Sequence, residues 1–242
     1  AAEEPAVSVA APESLDVGGT VRRLERAPAE VLTGYPDLDD LVRVLPTELV
    51  LVAARPSHGK TTFGLNVLLN VLRLARLAPQ PRPSILFSYE VQQEFLVGKL
   101  LSALTGRYSF HDVLNYLRSG DRDDPIVEEA RERLAGYAGL VHAVTEPSLP
   151  VEELVAYCRR VADAAGGLGM VIVDYLQIIP IAEPTISKDL QVTRAVKALR
   201  TAAQELGVPI ICLAQVNPPF SREEEPRPLL AHLVESTASE QE

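Results

Sequence analysis

Apolar runs and helical patterns alternate along the chain. Five runs read as strands, and several are rich in Val, Ile and Leu with little polar alternation, as in strands covered by helices on both faces. They span residues 48–54, 84–90, 139–145, 169–179 and 208–216. Segments with apolar positions at helical spacing lie at residues 61–77, 92–104, 127–136, 151–165 and 190–206. The alternation predicts an α/β fold with a mostly parallel central sheet flanked by helices and joined by right-handed crossovers.

The beginning of the chain differs from the rest. Residues 1–20 are rich in Ala, Pro, Glu and Ser without sustained periodicity, so we predict a flexible tail or linker over residues 1–30. Residues 31–242 then form one domain, since a 47% hydrophobic composition supplies a single core of ordinary size. The start does not resemble a signal peptide, and no apolar run approaches the roughly 20 residues of a membrane helix. We therefore expect a cytoplasmic protein with no membrane partner.

Charge and cysteine content narrow the class of partner and the compartment. The net charge of -10 argues against a surface that is basic everywhere, although it is compatible with a local basic groove. Cys158 falls in a predicted helix and Cys212 in a predicted strand, and neither has neighbours at metal-ligand spacing. We predict two plain core thiols, as expected in a reducing cytoplasm.

The stretch VAARPSHGKTTFGLNVL, residues 52–68, reads as a strand, a small-residue turn and a helix. Phosphate binding at such a turn needs inward backbone N–H groups, a helix N-terminus, a cation and a hydroxyl for Mg²⁺. Gly59, Lys60 and Thr61 supply the end of this pattern, and Ala54 stands where G-x-x-x-x-G-K-[ST] begins with Gly. The flanking strand and helix favour a nucleotide site over an ordinary strand–helix turn with a surface Lys. The residues predicted to bind the nucleotide are Ala54, Arg55, Pro56, Ser57, His58, Gly59, Lys60, Thr61 and Thr62.

Three polar residues follow apolar runs in other predicted strands. Asp174 closes MVIVD, at the sheet edge where α/β proteins bind ligands, and its carboxylate could hold Mg²⁺ through water. Glu90 ends ILFSYE, and from a strand next to that of the phosphate turn it could orient the attacking water. Gln215 follows ICLA, where an amide can report on the γ-phosphate. Each also has a structural interpretation, as a turn cap, a helix N-terminal acid or a polar strand terminus, but their convergence on one edge favours a site.

Five segments, in this order and spacing, resemble the RecA-like motor domain of the DnaB-type replicative helicases. They are VAARPSHGKTTFGLNVL, ILFSYEV, GGLGMVIVDYLQII, VKALRTAAQELGVPIICLAQVN and ESTASEQE. The similarity runs over residues 33–242. The A-R-P-S-x-G-K-T form of the phosphate turn, with Ala54 in place of Gly, is typical of that family.

The resemblance implies a RecA-like P-loop ATPase that moves along single-stranded DNA as a ring, a hexamer in the full-length protein. ATP and Mg²⁺ are the implied cofactors, and replication proteins are candidate partners. By position, Lys60 contacts the β and γ phosphates, Thr61 and Asp174 hold Mg²⁺, Glu90 activates water, and Gln215 couples phosphate state to DNA. The implied catalytic set is Glu90, Lys60 and Gln215.

Three positions depart from the family pattern in the DNA-facing loops. QVNPPF places Pro218 where the family has Arg, and LVESTAS places Val234 and Thr237 at a second Arg and a Gly. If the domain is a motor, other residues near these loops must contact DNA. The candidates are Lys188, Arg222, Arg227 and Glu235. The resemblance also implies that the family's helical N-terminal domain, the last strands of the motor domain and the arginine-finger segment are absent from this sequence.

Two other functions stay open at this point. A diverged nucleotide-binding module could have lost translocation and work by docking to replication or repair proteins. The three departures favour this function, while the intact set of Lys60, Glu90 and Asp174 favours retained hydrolysis. A recombinase-like ATPase would share the core fold, although DYLQ at the strand end argues against it.

Overall fold

The computed structural model describes residues 16–18, 21, 31–42, 44–182 and 187–216. Most of the predicted linker, residues 1–30, lies outside these ranges. So do all the residues singled out near the end of the chain, namely Pro218, Arg222, Arg227, Val234, Glu235 and Thr237.

Within the described residues, five parallel strands form one sheet in the order β1–β5–β4–β2–β3. Their bounds are Leu49–Ala54 (β1), Ser84–Ser88 (β2), Val141–Val144 (β3), Val171–Asp174 (β4) and Ile210–Gln215 (β5). Each lies inside a predicted strand, so the predicted fold class is confirmed. β3 and β5 end one residue earlier than predicted, and β2 and β4 end two and five residues earlier, because the chain leaves the sheet after Ser88 and after Asp174.

Helices cover the sheet. Their bounds are Pro36–Leu41 (α1), Lys60–Ala75 (α2), Gln93–Thr105 (α3), Phe110–Ser119 (α4), Pro125–Ala135 (α5), Val151–Ala165 (α6) and Lys188–Leu206 (α7), with a 3-10 helix at Leu176–Ile178. The predicted helices correspond to α2, α3, α5, α6 and α7, whereas α1, α4 and the 3-10 helix were not predicted. No helix in the described ranges is both long and apolar enough to cross a bilayer.

The strand order corrects one prediction. The strand leading to Glu90 is not next to the strand of the phosphate turn, because β5 and β4 lie between β1 and β2. The crossover through α2 skips two strand positions, which the chain fills later, and the apolar pattern of a strand does not encode that skip. β2 instead neighbours β4, so Glu90 lies near Asp174.

Alternate residues of each central strand face opposite sides of the sheet. Phe87 and Val173 pack on one side with α6 and α7, and Leu86 and Ile172 pack on the other side with α2 and α3. A smaller cluster joins α3, α4 and α5 through Leu101, Val113 and Ala130. The two main layers bury the sheet between helices on both faces.

Both cysteines are core residues, as predicted. Cys158 on α6 and Cys212 on β5 are free thiols with no exposed surface. Burial raises the pKa of Cys158 to about 12 and also raises the pKa of Cys212. Neither side chain is poised to react.

Candidate nucleotide-binding site

The carboxyl ends of the central strands meet at one edge of the sheet. Ala54 on β1 is in register with Gln215 on β5, and Ser88 on β2 is in register with Asp174 on β4. Parallel strands bring their carboxyl ends to the same side, which is where α/β sheets bind ligands. The predicted convergence of polar residues on this edge is therefore present.

The phosphate turn connects β1 to α2. Its backbone bends sharply, with a hydrogen bond from the N–H of His58 to the carbonyl of Arg55 at 3.3 Å. Ser57 has φ 62° and Gly59 has φ 78°, a left-handed conformation that is unusual for a non-glycine residue such as Ser57. Gly59 is the N-cap of α2, and in the described part of the chain no side chain caps this helix. The turn thus presents an open helix N-terminus, which favours an anion.

Lys60 is the first residue of α2 and is only 9% exposed. Its Nζ donates to Oε1 of Gln215 at 3.5 Å and lies 4.2 Å from the centre of the Tyr175 ring. The ammonium is thus held at the mouth of the phosphate turn by an amide oxygen and a ring face. Both are weaker partners for a cation than a phosphate oxygen would be.

Asp174 ends β4 beside the first turn of α2 and is 1% exposed. Thr61 donates its hydroxyl to Oδ2 of Asp174 at 2.7 Å, while among the described residues Oδ1 has no hydrogen-bond partner. Burial raises the pKa of the Asp174 carboxyl, and the charge of Glu90 adds to this. The Thr61 hydrogen bond, Lys60 and Lys99 act in the opposite direction. A buried carboxylate with one oxygen that accepts no hydrogen bond favours a cation nearby.

These two residues fit Mg²⁺. Among the described residues no group of three or more His, Cys, Asp or Glu side chains could hold a metal ion, so a closed protein site is not formed there. Mg²⁺ is usually held by one or two carboxylates together with substrate phosphates, rather than by such a site. The orphan oxygen of Asp174 and the hydroxyl of Thr61, next to the open helix end, supply that kind of donor set.

Glu90 lies two residues beyond β2 and is exposed. The N–H of Tyr89 donates to the carbonyl of Asp174 at 2.8 Å, which ties this loop to the end of β4. A cleft of about 420 Å³ opens beside Glu90 and gives its carboxylate access to water. The cleft is lined by Glu90, Val91, Gln92, Phe95, Lys99 and Phe110.

The remaining sequence candidates differ in position. Arg55, Pro56 and Ser57 form the turn with His58, whose Nδ1 lies 2.8 Å from the carbonyl oxygen of Pro56. His58 is exposed. Lys188 is the first residue of α7, and residues 183–186 lie outside the described ranges.

Sequence reasoning missed three residues at this edge. Lys99 on α3 contributes to the electrostatics of Asp174, Tyr175 faces Lys60, and Gln177 bonds to the backbone of Gln215. The motif DYLQ contains two of them, so its polar residues directly after a strand-end Asp were an available signal. Lys99 had none, because a single Lys on an amphipathic helix is usually a surface residue.

Comparison with known proteins decides the family. Residues 30–242 match the model of the DnaB-like helicase C-terminal domain. This chain belongs to that family. The DnaB-like domain also matches a solved ATPase domain, with a TM-score of 0.75, 22% identity, and coverage of 93% of this chain and 78% of the other. That likeness shows a shared RecA-like α/β fold.

Comparison with a curated relative shows how much of the longer protein this chain covers. The DnaB-like domain is 32% identical over 216 residues to the replicative DNA helicase DnaB of Leifsonia xyli subsp. xyli (strain CTCB07), which covers 88% of this chain and 44% of that protein. This chain thus spans less than half the length of that relative. A solved DnaB-like replicative helicase, described together with its interactions with primase, gives a TM-score of 0.75 and 22% identity, covering 91% of this chain and 53% of the other.

Proposed function

We propose that this chain is the ATP-hydrolysing motor domain of a DnaB-type helicase, which couples hydrolysis to movement on single-stranded DNA. The observation that carries the proposal is the pairing of the Thr61 hydroxyl with the buried Asp174 carboxylate beside Lys60 and an uncapped helix. Family membership supports it. An anion site with a cation and an Mg²⁺ donor pair on one sheet edge is the set of groups that a nucleoside triphosphate requires.

Each residue has a role in this mechanism. The backbone N–H groups at the start of α2 and the Lys60 ammonium bind the phosphates, and Thr61 and Asp174 hold Mg²⁺. When bound, Mg²⁺ neutralises phosphate charge during transfer. Glu90 accepts a proton from the attacking water, to which the adjoining cleft gives access. Gln215 Oε1 accepts a hydrogen bond from Lys60 Nζ, so phosphates that attract Lys60 would release the Gln215 amide for the γ-phosphate.

The proposal extends to the wider assembly, and family membership supports it. We infer a ring, a hexamer in the full-length protein, because DnaB-type motors are ring ATPases. Lys188, Arg222, Arg227 and Glu235 are the proposed DNA-contacting residues. A DnaB-like helicase of the same fold has been described with primase, so a primase is one candidate replication partner. The proposed location is the cytoplasm, which is consistent with a motor that acts on DNA.

A second function is supported by one observation in the sequence. Pro218, Val234 and Thr237 remove two cations and a flexible turn from the predicted DNA-facing loops. Phosphate contacts supply most of non-specific DNA affinity, so their loss favours a nucleotide-binding module that docks to other proteins.

One experiment separates the two functions. The ATPase rate of the full-length protein is measured with and without single-stranded DNA, together with DNA affinity between about 50 and 200 mM salt. A motor should be stimulated by DNA and should show affinity that falls steeply with salt, because each phosphate contact releases counterions. Hydrolysis without any DNA affinity at low salt would support the docking module instead.

Charge variants test the DNA candidates. Replacing Arg222 and Arg227 by Gln should flatten the salt slope by roughly one unit per lost contact. The matched control replaces Arg118 and Arg200, which are exposed on α4 and α7, and should leave the slope unchanged. Equal slopes in both double variants would remove Arg222 and Arg227 from the DNA interface.

A further inference from the structure

The ladder between β4 and β5 ends before β5 does. β1 pairs with β5 as far as Ala54 and Gln215, whereas the ladder between β4 and β5 ends at Val173 and Cys212. β4 itself ends at Asp174, and the chain then turns into the 3-10 helix. On the side of β4, the end of β5 therefore faces a segment that has left the sheet.

A side chain takes the place of the missing strand. Gln177 lies in the 3-10 helix and is 3% exposed. Its Nε2 donates to the carbonyl oxygen of Gln215 at 2.6 Å, and its Oε1 accepts from the N–H of Gln215 at 3.0 Å. A carboxamide carries the same donor and acceptor as a peptide group. Gln177 therefore extends the ladder by one step beyond the end of β4.

The residue held in this way reaches into the nucleotide site. Oε1 of Gln215 accepts from Lys60 Nζ, and the same ammonium lies over the ring of Tyr175. Asp174, Tyr175 and Gln177 are close neighbours in the chain. This short segment therefore provides the carboxylate beside Thr61, the ring that faces Lys60 and the amide that fixes Gln215.

We propose that Gln177 is the positioning residue of Gln215. By holding the Gln215 peptide group, it keeps that side-chain amide directed at Lys60, so that a change at the γ-phosphate is passed to the chain after β5. This role rests on the ATPase function proposed above. An amide at an unheld strand end would move, and a displacement of about 1 Å can cost on the order of 100-fold in rate.

The first test replaces Gln177 by Met, which has a similar length and removes both hydrogen bonds. The KM for ATP should stay within about twofold, because the phosphate turn is untouched, while kcat should fall on the order of 10- to 100-fold. Tyr108→Phe is the matched control, since it removes a 2.7 Å hydrogen bond to Asp124 at a distance from the sheet edge, and it should change neither parameter. An unchanged kcat in the folded Met variant would overturn the proposal.

The second test asks whether Gln177 acts through Gln215. Gln215→Ala removes the side chain that Gln177 positions. The double variant with Gln177→Met should therefore have the same kcat as Gln215→Ala alone. A general loss of stability would instead multiply the two effects, and that result would overturn the positioning role.

The third test uses Gln177→Glu, which also serves if the Met variant does not fold. A protonated glutamic acid keeps one donor and one acceptor, whereas the ionised form sets a second acceptor against the Gln215 carbonyl. The ratio of its kcat to that of the parent should therefore rise as the pH falls. A ratio that does not change with pH would contradict the role of the Nε2 donor.

Amide hydrogen exchange gives a readout that needs no turnover. The N–H of Gln215 should be protected in the parent and lose protection in Gln177→Met, while amides in the middle of β5 stay protected. A parent chain without ATPase activity would overturn the proposed function alone. Protection of Gln215 that survives in the Met variant would overturn the positioning role alone.

Discussion

Two helices of this domain begin in opposite ways. The N-terminus of α5 is closed by its own chain, since Asp124 Oδ1 accepts from the N–H groups of Ile126 at 2.9 Å and Val127 at 3.3 Å, and Pro125 needs no partner. The N-terminus of α2 has Gly59 at the cap and no capping side chain among the described residues. Both helix ends carry the same partial positive charge.

The two helix ends also differ in what surrounds them. At α5 a carboxylate from the chain satisfies the N–H groups, so this end only stabilises the fold. At α2 no side chain among the described residues caps the corresponding groups, and Lys60, Thr61 and Asp174 lie beside them, an arrangement that favours an external anion. The turn that precedes α2 has a strained backbone at Ser57, whose φ is positive.

The largest expected effect comes from removing the cation at the open end. Lys60→Ala should abolish ATP binding or nearly so, because the β and γ phosphates would then face only the helix dipole. Titration with a fluorescent ATP analogue measures the affinity. Lys197→Ala, at an exposed position on α7, is the matched control and should bind as the parent does. Unchanged affinity in Lys60→Ala would refute the phosphate site.

The next effect separates binding from chemistry at the same edge. Glu90→Gln should keep nucleotide affinity and lower the turnover of ATP by roughly 10²- to 10⁴-fold, as expected when a general base is lost. Steady-state phosphate release gives the rate. The control Glu94→Gln removes the same charge from the first turn of α3, and this variant should hydrolyse ATP at the parent rate. If Glu90→Gln hydrolyses ATP at the parent rate, another group activates the water.

A smaller, two-sided effect is expected at Asp174. Its folded pKa is raised, so the ionised carboxylate opposes folding once the pH exceeds the unfolded value, and this cost persists at neutral pH. Asp174→Asn should therefore raise the melting temperature of the metal-free protein at pH 7 and weaken the Mg²⁺ dependence of ATP binding. Thermal unfolding and Mg²⁺ titration measure the two effects. Asp163→Asn, at an exposed position on α6, should show neither, and a lower melting temperature in Asp174→Asn would contradict this account.

The smallest effect tests the closed end. Asp124→Ala should lower the melting temperature by roughly 2–4 °C and leave ATP binding unchanged, because the cap serves only the fold. The pKa of Asp124 is lowered, chiefly by the Tyr108 hydrogen bond, so its stabilising effect is present above the unfolded pKa and is lost as the pH falls through the folded value. The gap between parent and variant should therefore close in acid. A gap that stays constant with pH would exclude the carboxylate as the cap.

The sequence predicts well what depends on local pattern. The apolar runs located all the strands of the described sheet, and the phosphate turn was found because strand, turn and helix follow one another directly. The family resemblance was confirmed by the match over residues 30–242. Helix α4 was missed although Ser109 and Asp112 form a capping box, a signal that is visible in the segment SFHD.

What the sequence does not predict depends on contacts distant along the chain. The strand order was wrong for β2, because a crossover can skip positions without any trace in its own residues. The contact between Gln177 and Gln215 joins residues 38 apart in the chain. It forms where β4 has ended, at Asp174, three residues before Gln177. The roles of Arg222, Arg227 and Glu235 stay predictions, since these residues lie outside the described ranges.

The two buried thiols have a practical consequence. Cys158 and Cys212 are the only cysteines of the chain, and maleimide reagents require an accessible thiolate, which neither of them offers. A single cysteine introduced at an exposed position, for example in place of Glu94, would therefore take up a fluorophore selectively without removal of the native residues. The folded domain can therefore be labelled at one site for single-molecule fluorescence with both native cysteines kept.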